Sequence, residues 1–155
     1  MTYIYDIFSK KLTEVAPFTV DLLLPSGAEN LNYVLYTDES PYKMQREWLD
    51  RLPFDIYSVN VHTGAKRLIG RSYRTAPKWS VNGKWAVMYD PIAQVWNKFD
   101  GATGKVVNIS DAIGYPMFME SYDKPAPAPA YGIAGWTADG NNVFLYDAYA
   151  GGRLI

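Results

Sequence analysis

The chain has 155 residues, of which 48% are hydrophobic and 20% charged, so it can bury a core and wholesale disorder is excluded. Its net charge of −1 provides no basic surface, and we therefore expect no nucleic-acid partner. The absence of cysteine excludes disulfides and thiolate sites, whereas the 15% of aromatic residues, with 13 Tyr and 5 Trp, favour an all-β fold.

The first segment predicts a β-hairpin without a targeting signal. Residues 3–15 have the pattern strand, turn, strand, with Ser-Lys-Lys at the turn. They lack the basic start and long apolar run of a signal peptide, and no later stretch has the apolar length of a transmembrane helix. We therefore expect a soluble chain with no membrane partner, and its location stays open.

Hairpins of two kinds then alternate along the chain. The outer kind occurs at 3–15, 55–69 and 95–109, and a Thr-Gly pair closes the turn in the last two. Gly64 and Gly104 are therefore expected to be left-handed turn glycines and not phosphate binders. The inner kind occurs in degraded form at 20–38, and clearly at 77–90 and 133–147.

The two clear inner hairpins are copies of each other. The matching pairs are Trp79 and Trp136, Ser80 and Thr137, Gly83 and Gly140, Tyr89 and Tyr146, and Asp90 and Asp147. A repeat of this size predicts stacked structural units. The recurrence of the two Trp residues favours packing between units, with a ligand platform as the alternative. The apolar runs 85–89 and 143–146 are continuous, as in strands covered on both faces.

Pairing each inner hairpin with the outer hairpin that follows it gives units near 18–70 and 75–110, and a third over 131–155. The hairpin 3–15 is left over. Because two antiparallel hairpins make one four-stranded propeller blade, we expect an all-β protein, a partial β-propeller of about three blades in one domain, 1–155.

Two insertions interrupt this pattern. Residues 40–53 fall between the hairpins of one unit and are expected to include a helical turn. Residues 111–130 join two units and end in alternating Pro and Ala, which favours a stiff strap on the surface.

Several motifs resemble a known family. Trp-Ser-x-Asn-Gly-Lys at 79–84 and Trp-Thr-x-Asp-Gly at 136–140 resemble the blade signature of TolB-type propellers. Gln-Arg-Glu-Trp-Leu-Asp at 45–50, Phe-Asp-Ile-Tyr at 54–57 and Tyr-Gly-Ile-Ala-Gly-Trp-Thr at 131–137 resemble the N-terminal propeller of bacterial prolyl oligopeptidase-family serine peptidases. The resemblance covers about 18–147. It implies a propeller that caps a hydrolase domain and selects peptides by size, in a periplasmic or exported protein.

The chain departs from that family in the residues of catalysis. It has no Gly-x-Ser-x-Gly motif, its one histidine is His62 in a predicted turn, and the adjacent glutamate pair of dipeptidyl peptidases is absent. We therefore expect a non-catalytic segment without cofactor or metal, which gates substrates or binds a peptide or protein.

The alternative is a self-assembling structural module. Terminal blades have unpaired edges, and two copies could close a ring of about six blades as a homo-oligomer. A small propeller lectin or glycosidase is a third possibility.

Arg46, Glu47 and Trp48 are the preferred candidates for ligand or interface contacts. They lie in an insertion outside the repeat, and loops on a rigid scaffold often carry function. The alternative for Trp48 is that it pins the insertion to its own unit. Tyr131, which follows the Pro-Ala strip, is a further candidate with the same two interpretations.

Three acidic or basic residues are weaker candidates. Asp90 and Asp147 could form the carboxylate pair of a glycosidase, but a turn-bonding role is the stronger interpretation. His62 could be a catalytic base, but a simple turn residue is favoured because no partnered nucleophile is indicated. The stretch Asp-Gly-Asn-Asn at 139–142 is too short to predict a calcium site.

Overall fold

The computed structural model describes residues 1–17, 20, 22–26, 32–148 and 153–154, and the chain is all-β, as the sequence predicts. The strands are β1 (Thr2–Tyr5), β2 (Leu12–Ala16), β3 (Leu22–Leu24), β4 (Tyr33–Asp38), β5 (Phe54–Asn60), β6 (Lys66–Tyr73), β7 (Lys78–Trp79), β8 (Trp85–Asp90), β9 (Val95–Asp100), β10 (Val106–Asn108), β11 (Ile133–Trp136), β12 (Val143–Leu145) and β13 (Arg153–Leu154). A 3-10 helix, Ser40–Gln45, confirms the helical turn predicted between β4 and β5. Within the described residues, no helix has the length and apolar character needed to cross a membrane.

The strands form four antiparallel sheets, which we number in chain order. Sheet 1 is the hairpin β1–β2, sheet 2 is the meander β3–β6, sheet 3 is the meander β7–β10, and sheet 4 contains β11–β13. Sheets 2 and 3 each join one inner hairpin to the outer hairpin that follows it. Within the described ranges, none of the sheets closes on itself. The last part of the predicted unit 131–155 lies outside the described residues, apart from β13.

The three outer turns share one geometry. In each, an Asp or Asn at the end of a strand accepts hydrogen bonds from two turn amides through its Oδ1, at 2.8–3.2 Å. These acceptors are Asp6, Asn60 and Asp100. Four residues later, Lys10, Gly64 and Gly104 have φ of 55°, 74° and 72°. The predicted role of Gly64 and Gly104 is confirmed, and Lys10 occupies the same position without being glycine.

The two inner turns also match, and they touch each other. Asn82 Oδ1 accepts a hydrogen bond from Ser80 Oγ at 2.6 Å, and Asp139 Oδ1 accepts one from Thr137 Oγ1 at 2.5 Å. Asn82 Nδ2 then donates to the backbone oxygen of Asp139 at 2.8 Å. The repeated hairpins therefore stack with equivalent turn residues in contact.

Three hydrophobic cores lie between the four sheets, in chain order. The first, between sheets 1 and 2, buries Val15, Val34, Tyr36 and Val59. The second, between sheets 2 and 3, buries Leu35, Ile56, Tyr73, Ala86, Met88 and Phe99. The third, between sheets 3 and 4, buries Val87, Tyr89, Trp96, Met117, Val143 and Leu145. Each sheet thus packs on its neighbours along the chain.

Strand β8 is covered on both faces, as its continuous apolar run predicts. Ala86 and Met88 enter the second core, whereas Val87 enters the third. The same prediction is wrong for the run 143–146, because Phe144 is half-buried and Tyr146 is 39% exposed. In the described part of the chain, that strand buries one face.

The repeated Trp residues contact the preceding sheet. Trp79 Nε1 donates a hydrogen bond to the backbone oxygen of Leu24 at 2.9 Å, across the boundary between sheets 3 and 2. The rings of Trp136 and Trp85 meet edge to face, with centroids 5.0 Å apart, across the boundary between sheets 4 and 3. Both contacts agree with packing between units.

The segment 111–130 is held against sheet 3, as expected for a strap. Phe118 and Ala130 form an isolated antiparallel bridge, and Tyr89 Oη donates to the backbone oxygen of Ala128 at 3.2 Å. Met117 is buried in the third core, which the Pro-Ala pattern did not indicate. The strap therefore contributes to the packing between sheets.

We expect Gly140→Ala to destabilise the protein by about 1–3 kcal/mol, because an Ala there would adopt a strained backbone conformation. Gly140 has φ +71°, and an added Cβ would lie 2.8 Å from the backbone nitrogen of Asn82. Gly114→Ala is the control, since a Cβ there meets nothing within 4 Å. Chemical denaturation measures both variants, and equal free energies of unfolding for the two would contradict the turn contact.

Stability should fall as pH rises from about 10 to about 12. Burial raises the pKa of Tyr36, Tyr73 and Tyr89 to about 12, from an ordinary value of 10.0. Above pH 10 the unfolded chain binds fewer protons than the folded one, so the free energy of unfolding decreases with pH.

Chemical denaturation at several pH values, with tyrosinate absorbance followed in parallel, measures this effect. Tyr73→Phe should make the decrease shallower because it removes one of the three titrating groups. A free energy of unfolding that stays constant over this pH range would show that the three tyrosines are not held neutral by folding.

Candidate functional site

The insertion between β4 and β5 is anchored by Asp55, which is buried at its base. Asp55 Oδ1 accepts a hydrogen bond from Tyr42 Oη at 2.5 Å and another from the backbone nitrogen of Ser72 at 3.1 Å. On the facing strand, Asp38 Oδ1 accepts one from the backbone nitrogen of Ser40 at 2.8 Å, where the 3-10 helix begins. Two in-register aspartates therefore hold the start of the insertion.

The hydroxyl group of Tyr42 stays protonated, and this preserves its hydrogen bond to Asp55. Burial, followed by the hydrogen bond to Asp55 and the charge of Asp55, raises the pKa of Tyr42. Tyr42 therefore remains a protonated hydrogen-bond donor across the neutral pH range. Leu52 and Pro53 are buried where the insertion returns to β5, so the segment is fixed at both ends.

The tip of the insertion exposes apolar and charged side chains. Met44 is 93% exposed and Trp48 is 71% exposed, and Arg46 and Glu47 between them are exposed as well. We call these four residues the insertion surface. Arg46 Nη2 lies 3.9 Å from Glu39 Oε2, a weak exposed ion pair. The 71% exposure of Trp48 argues against the alternative that its ring pins the insertion to sheet 2.

Tyr131 lies elsewhere, where the strap enters sheet 4. It is half-buried, and the next residue, Gly132, accepts a hydrogen bond through its backbone oxygen from Tyr146 N at 3.0 Å. Among the described residues, no hydrogen bond, ion pair or ring contact joins Tyr131 to the insertion surface. The candidate residues predicted from the sequence therefore lie in two separate regions. Three of them, Arg46, Glu47 and Trp48, lie together on the insertion surface.

The weaker candidates occupy structural positions. Asp90 Oδ1 accepts hydrogen bonds from the backbone amides of residues 92 and 93 at 2.9 and 3.0 Å, as the turn-bonding interpretation predicts. Asp147 is buried. His62 is exposed in its turn, and its Nε2 lies 3.3 Å from Asn32 Oδ1. In the part of the chain that the structure describes, no group of three or more His, Cys, Asp or Glu residues could hold a metal ion.

The acidic turn at Asp139 is likewise occupied by its own segment. Hydrogen bonds from Thr137 Oγ1, and then from the backbone and side chain of Asn141, hold the pKa of Asp139 below its ordinary value. These donors satisfy the carboxylate within the turn, which agrees with a turn role for the stretch 139–142.

Sheet 1 carries a second exposed surface, which the sequence pattern did not single out. Among the described residues, its strand β1 pairs only with β2. The large apolar side chains that it exposes are Tyr3, Tyr5, Ile7, Phe8 and Leu12, and Phe8 at the turn is 98% exposed. Tyr5 stands opposite Leu12 in the register, and Tyr3 stands opposite Glu14, so these side chains share one face. Exposed patches of this kind mark interaction sites or aggregation-prone edges.

Sequence reasoning also missed the bond between Tyr42 and Asp55. Both residues were visible, in the insertion and in the motif at 54–57, but no spacing rule joins a residue of a loop to a strand that begins beyond it. The signal in the sequence was Asp55, a charged residue between apolar neighbours in a predicted strand.

Comparison with models of protein families, with curated proteins and with solved structures finds no match for this chain. Its function therefore has to be inferred from its own residues.

Proposed function

We propose that the four sheets are blades and half-blades of a β-propeller. Two features support this. Sheets 2 and 3 are four-stranded antiparallel meanders with equivalent turns, which is the composition of a propeller blade. The sheets also pack in chain order through separate cores, as successive blades do.

The outer sheets fit the same scheme as incomplete blades. The turn of sheet 1 has the geometry of the outer turns of sheets 2 and 3, with Asp6 and Lys10 in the equivalent positions. Strands β11 and β12 carry the inner motif that β7 and β8 carry. Sheet 1 then corresponds to the outer half of a blade, and β11–β12 to the inner half.

For the activity, we propose a non-catalytic role in which this segment contacts peptides and restricts their access. The observation that carries the proposal is the insertion surface, where Trp48 and Met44 are exposed on a segment that buried Asp55 anchors. Exposed aromatic residues on an anchored loop are typical of the residues that contribute most to binding energies. The resemblance to the propellers of prolyl oligopeptidase-family peptidases supplies the ligand class.

The proposal assigns no bond cleavage to this chain. It rests on the sequence, which offers no nucleophile elbow and only one histidine, His62, in a turn. Turnover of a peptide by the pure protein, abolished by a serine-directed inhibitor, would contradict a non-catalytic role.

Peptide binding should depend on Trp48. A random peptide library displayed on phage is selected against the full chain, and enriched peptides are synthesised for calorimetry. We expect Trp48→Ala to weaken their binding by about tenfold or more, because central aromatic residues often contribute about 2 kcal/mol or more. Ile92→Ala is the matched control, since Ile92 is 65% exposed in a turn of sheet 3.

Arg46→Ala and Glu47→Ala should change the salt dependence of the same binding. Two results would overturn the proposal: no peptide is enriched, or the selected peptides bind Trp48→Ala and Ile92→Ala equally well.

A second candidate function is the self-assembling module, which the exposed face of sheet 1 favours. In the part of the chain that the structure describes, the second edge of β1 has no partner strand, and Tyr5 and Leu12 are more than half exposed on one face. In the propeller scheme, β1 of one copy would pair with β12 of another, at the position that the two-residue strand β13 takes. Two such pairings would close a ring of about six blades.

Absolute mass by light scattering behind a sizing column tests this second candidate. It predicts a species of twice 17.5 kDa that Leu12→Lys converts to the monomer. Val107→Lys is the control, because Val107 is also about half exposed but lies in sheet 3. A monodisperse monomer at high concentration would contradict assembly.

A further inference from the structure

A cavity of about 340 Å³ lies between sheets 3 and 4, away from the insertion surface. Its lining residues are Trp85, Lys98, Ile109, Asn141 and Val143. The volume is at the low end for small-molecule sites, so it suits a ligand of about the size of one amino acid. The walls combine an apolar side with two polar side chains, the composition typical of such sites.

Lys98 brings a positive charge into this cavity. It is half-buried on β9, on the same face as Trp96 of the third core. Its Nζ lies 5.7 Å from the centroid of the Trp85 ring, and that ring is fixed by its edge contact with Trp136. No carboxylate among the described residues forms an ion pair with Lys98. The ammonium group therefore has an aromatic neighbour but no counter-charge.

Asn141 is an exposed residue that lines the cavity with an amide side chain. Its Nδ2 donates a hydrogen bond to Asp139 Oδ2 at 3.0 Å, which fixes the orientation of the amide. Its Oδ1 accepts no hydrogen bond from the described residues and can accept one from a ligand. The half-buried side chains of Ile109 and Trp85 provide the apolar wall.

The equivalent place between sheets 2 and 3 is closed by packing within the repeat. Ser58 is the equivalent of Lys98, because each residue lies two positions before the polar turn residue, Asn60 or Asp100. Ser58 is only 1% exposed. There the Phe99 ring makes an edge contact with Tyr33, at 5.9 Å between centroids, and fills the space. Packing of the repeat therefore does not require a lysine at this position.

We propose that this cavity binds a small carboxylate that carries an apolar side chain and a neighbouring N–H group. The carboxylate would pair with the Lys98 ammonium, the N–H would donate to Asn141 Oδ1, and the side chain would lie against Ile109 and Trp85. The C-terminal residue of a peptide and a free N-acylated amino acid share this chemistry. The site does not depend on the insertion surface, and Trp48→Ala should leave it unchanged.

Calorimetry with N-acetyl-leucine and N-acetyl-leucinamide tests the site, because the two probes differ only in the charged group. We expect the acid to bind and the amide to bind about tenfold or more weakly, as the loss of a charge-assisted hydrogen bond predicts. Lys98→Met keeps the length of the side chain and should remove the preference for the acid. Lys105→Met, in the exposed turn after the same strand, is the control and should keep that preference.

A third probe, the acid extended by two N-terminal glycines, distinguishes the two sources. Tighter binding of the extended probe assigns the site to peptide C-termini, and equal or weaker binding assigns it to free N-acylated amino acids. Equal affinity for acid and amide in the natural chain overturns the proposal even if Lys98→Met fails to fold. So does absence of binding, or a preference for the acid that survives in a folded Lys98→Met variant.

Discussion

Side chains alternate along β4 and β8, and consecutive residues of each strand enter different hydrophobic cores. Val34 and Leu35 face opposite sides of sheet 2, as Ala86 and Val87 do in sheet 3. Because the side-chain period of a strand is two, a shift of one residue in either strand would exchange the contents of two cores. The packing of all four sheets therefore depends on the register of these two strands.

Polar contacts in the turns fix the register within the hairpins of the repeat. In the outer hairpins, an Asp or Asn side chain bonds to two amides of the turn and a left-handed residue closes it, which sets the loop length. In the inner hairpins, the contact between Asn82 and Asp139 also aligns one sheet with the next. The same small set of polar contacts thus positions both the cores and the open cavity between sheets 3 and 4.

The repeat made much of this fold predictable, since turn residues and apolar runs occur in the same order in each copy. Gly64 and Gly104 were identified because glycine marks a left-handed position. The turn of sheet 1 was predicted at Ser-Lys-Lys, but its left-handed residue was not, because Lys10 adopts that conformation with a side chain that rarely does. Local patterns identify the left-handed position of a turn only when the favoured residue is present.

The candidate site was predictable only in part. Position in an insertion pointed to Trp48, but its exposure depends on where Tyr42 and Asp55 anchor the loop, which is a tertiary contact. Lys98 gave no signal, because lysine in a strand usually lies on a solvated face. Lys98 lies between two sheets because units that are far apart in the sequence pack against each other. Its equivalence to buried Ser58 becomes clear only when the two sheets are superposed.

Methyl–methyl nuclear Overhauser contacts in a selectively labelled protein directly test whether the sheets pack in series. Serial packing predicts contacts between Val15 and the valines of sheet 2, and between Val87 and the apolar residues of β12. It predicts none within one chain between Val15 and Val143, which lie in the first and third cores. An intramolecular contact between these two residues would contradict it, because sheets 1 and 4 would then share a core.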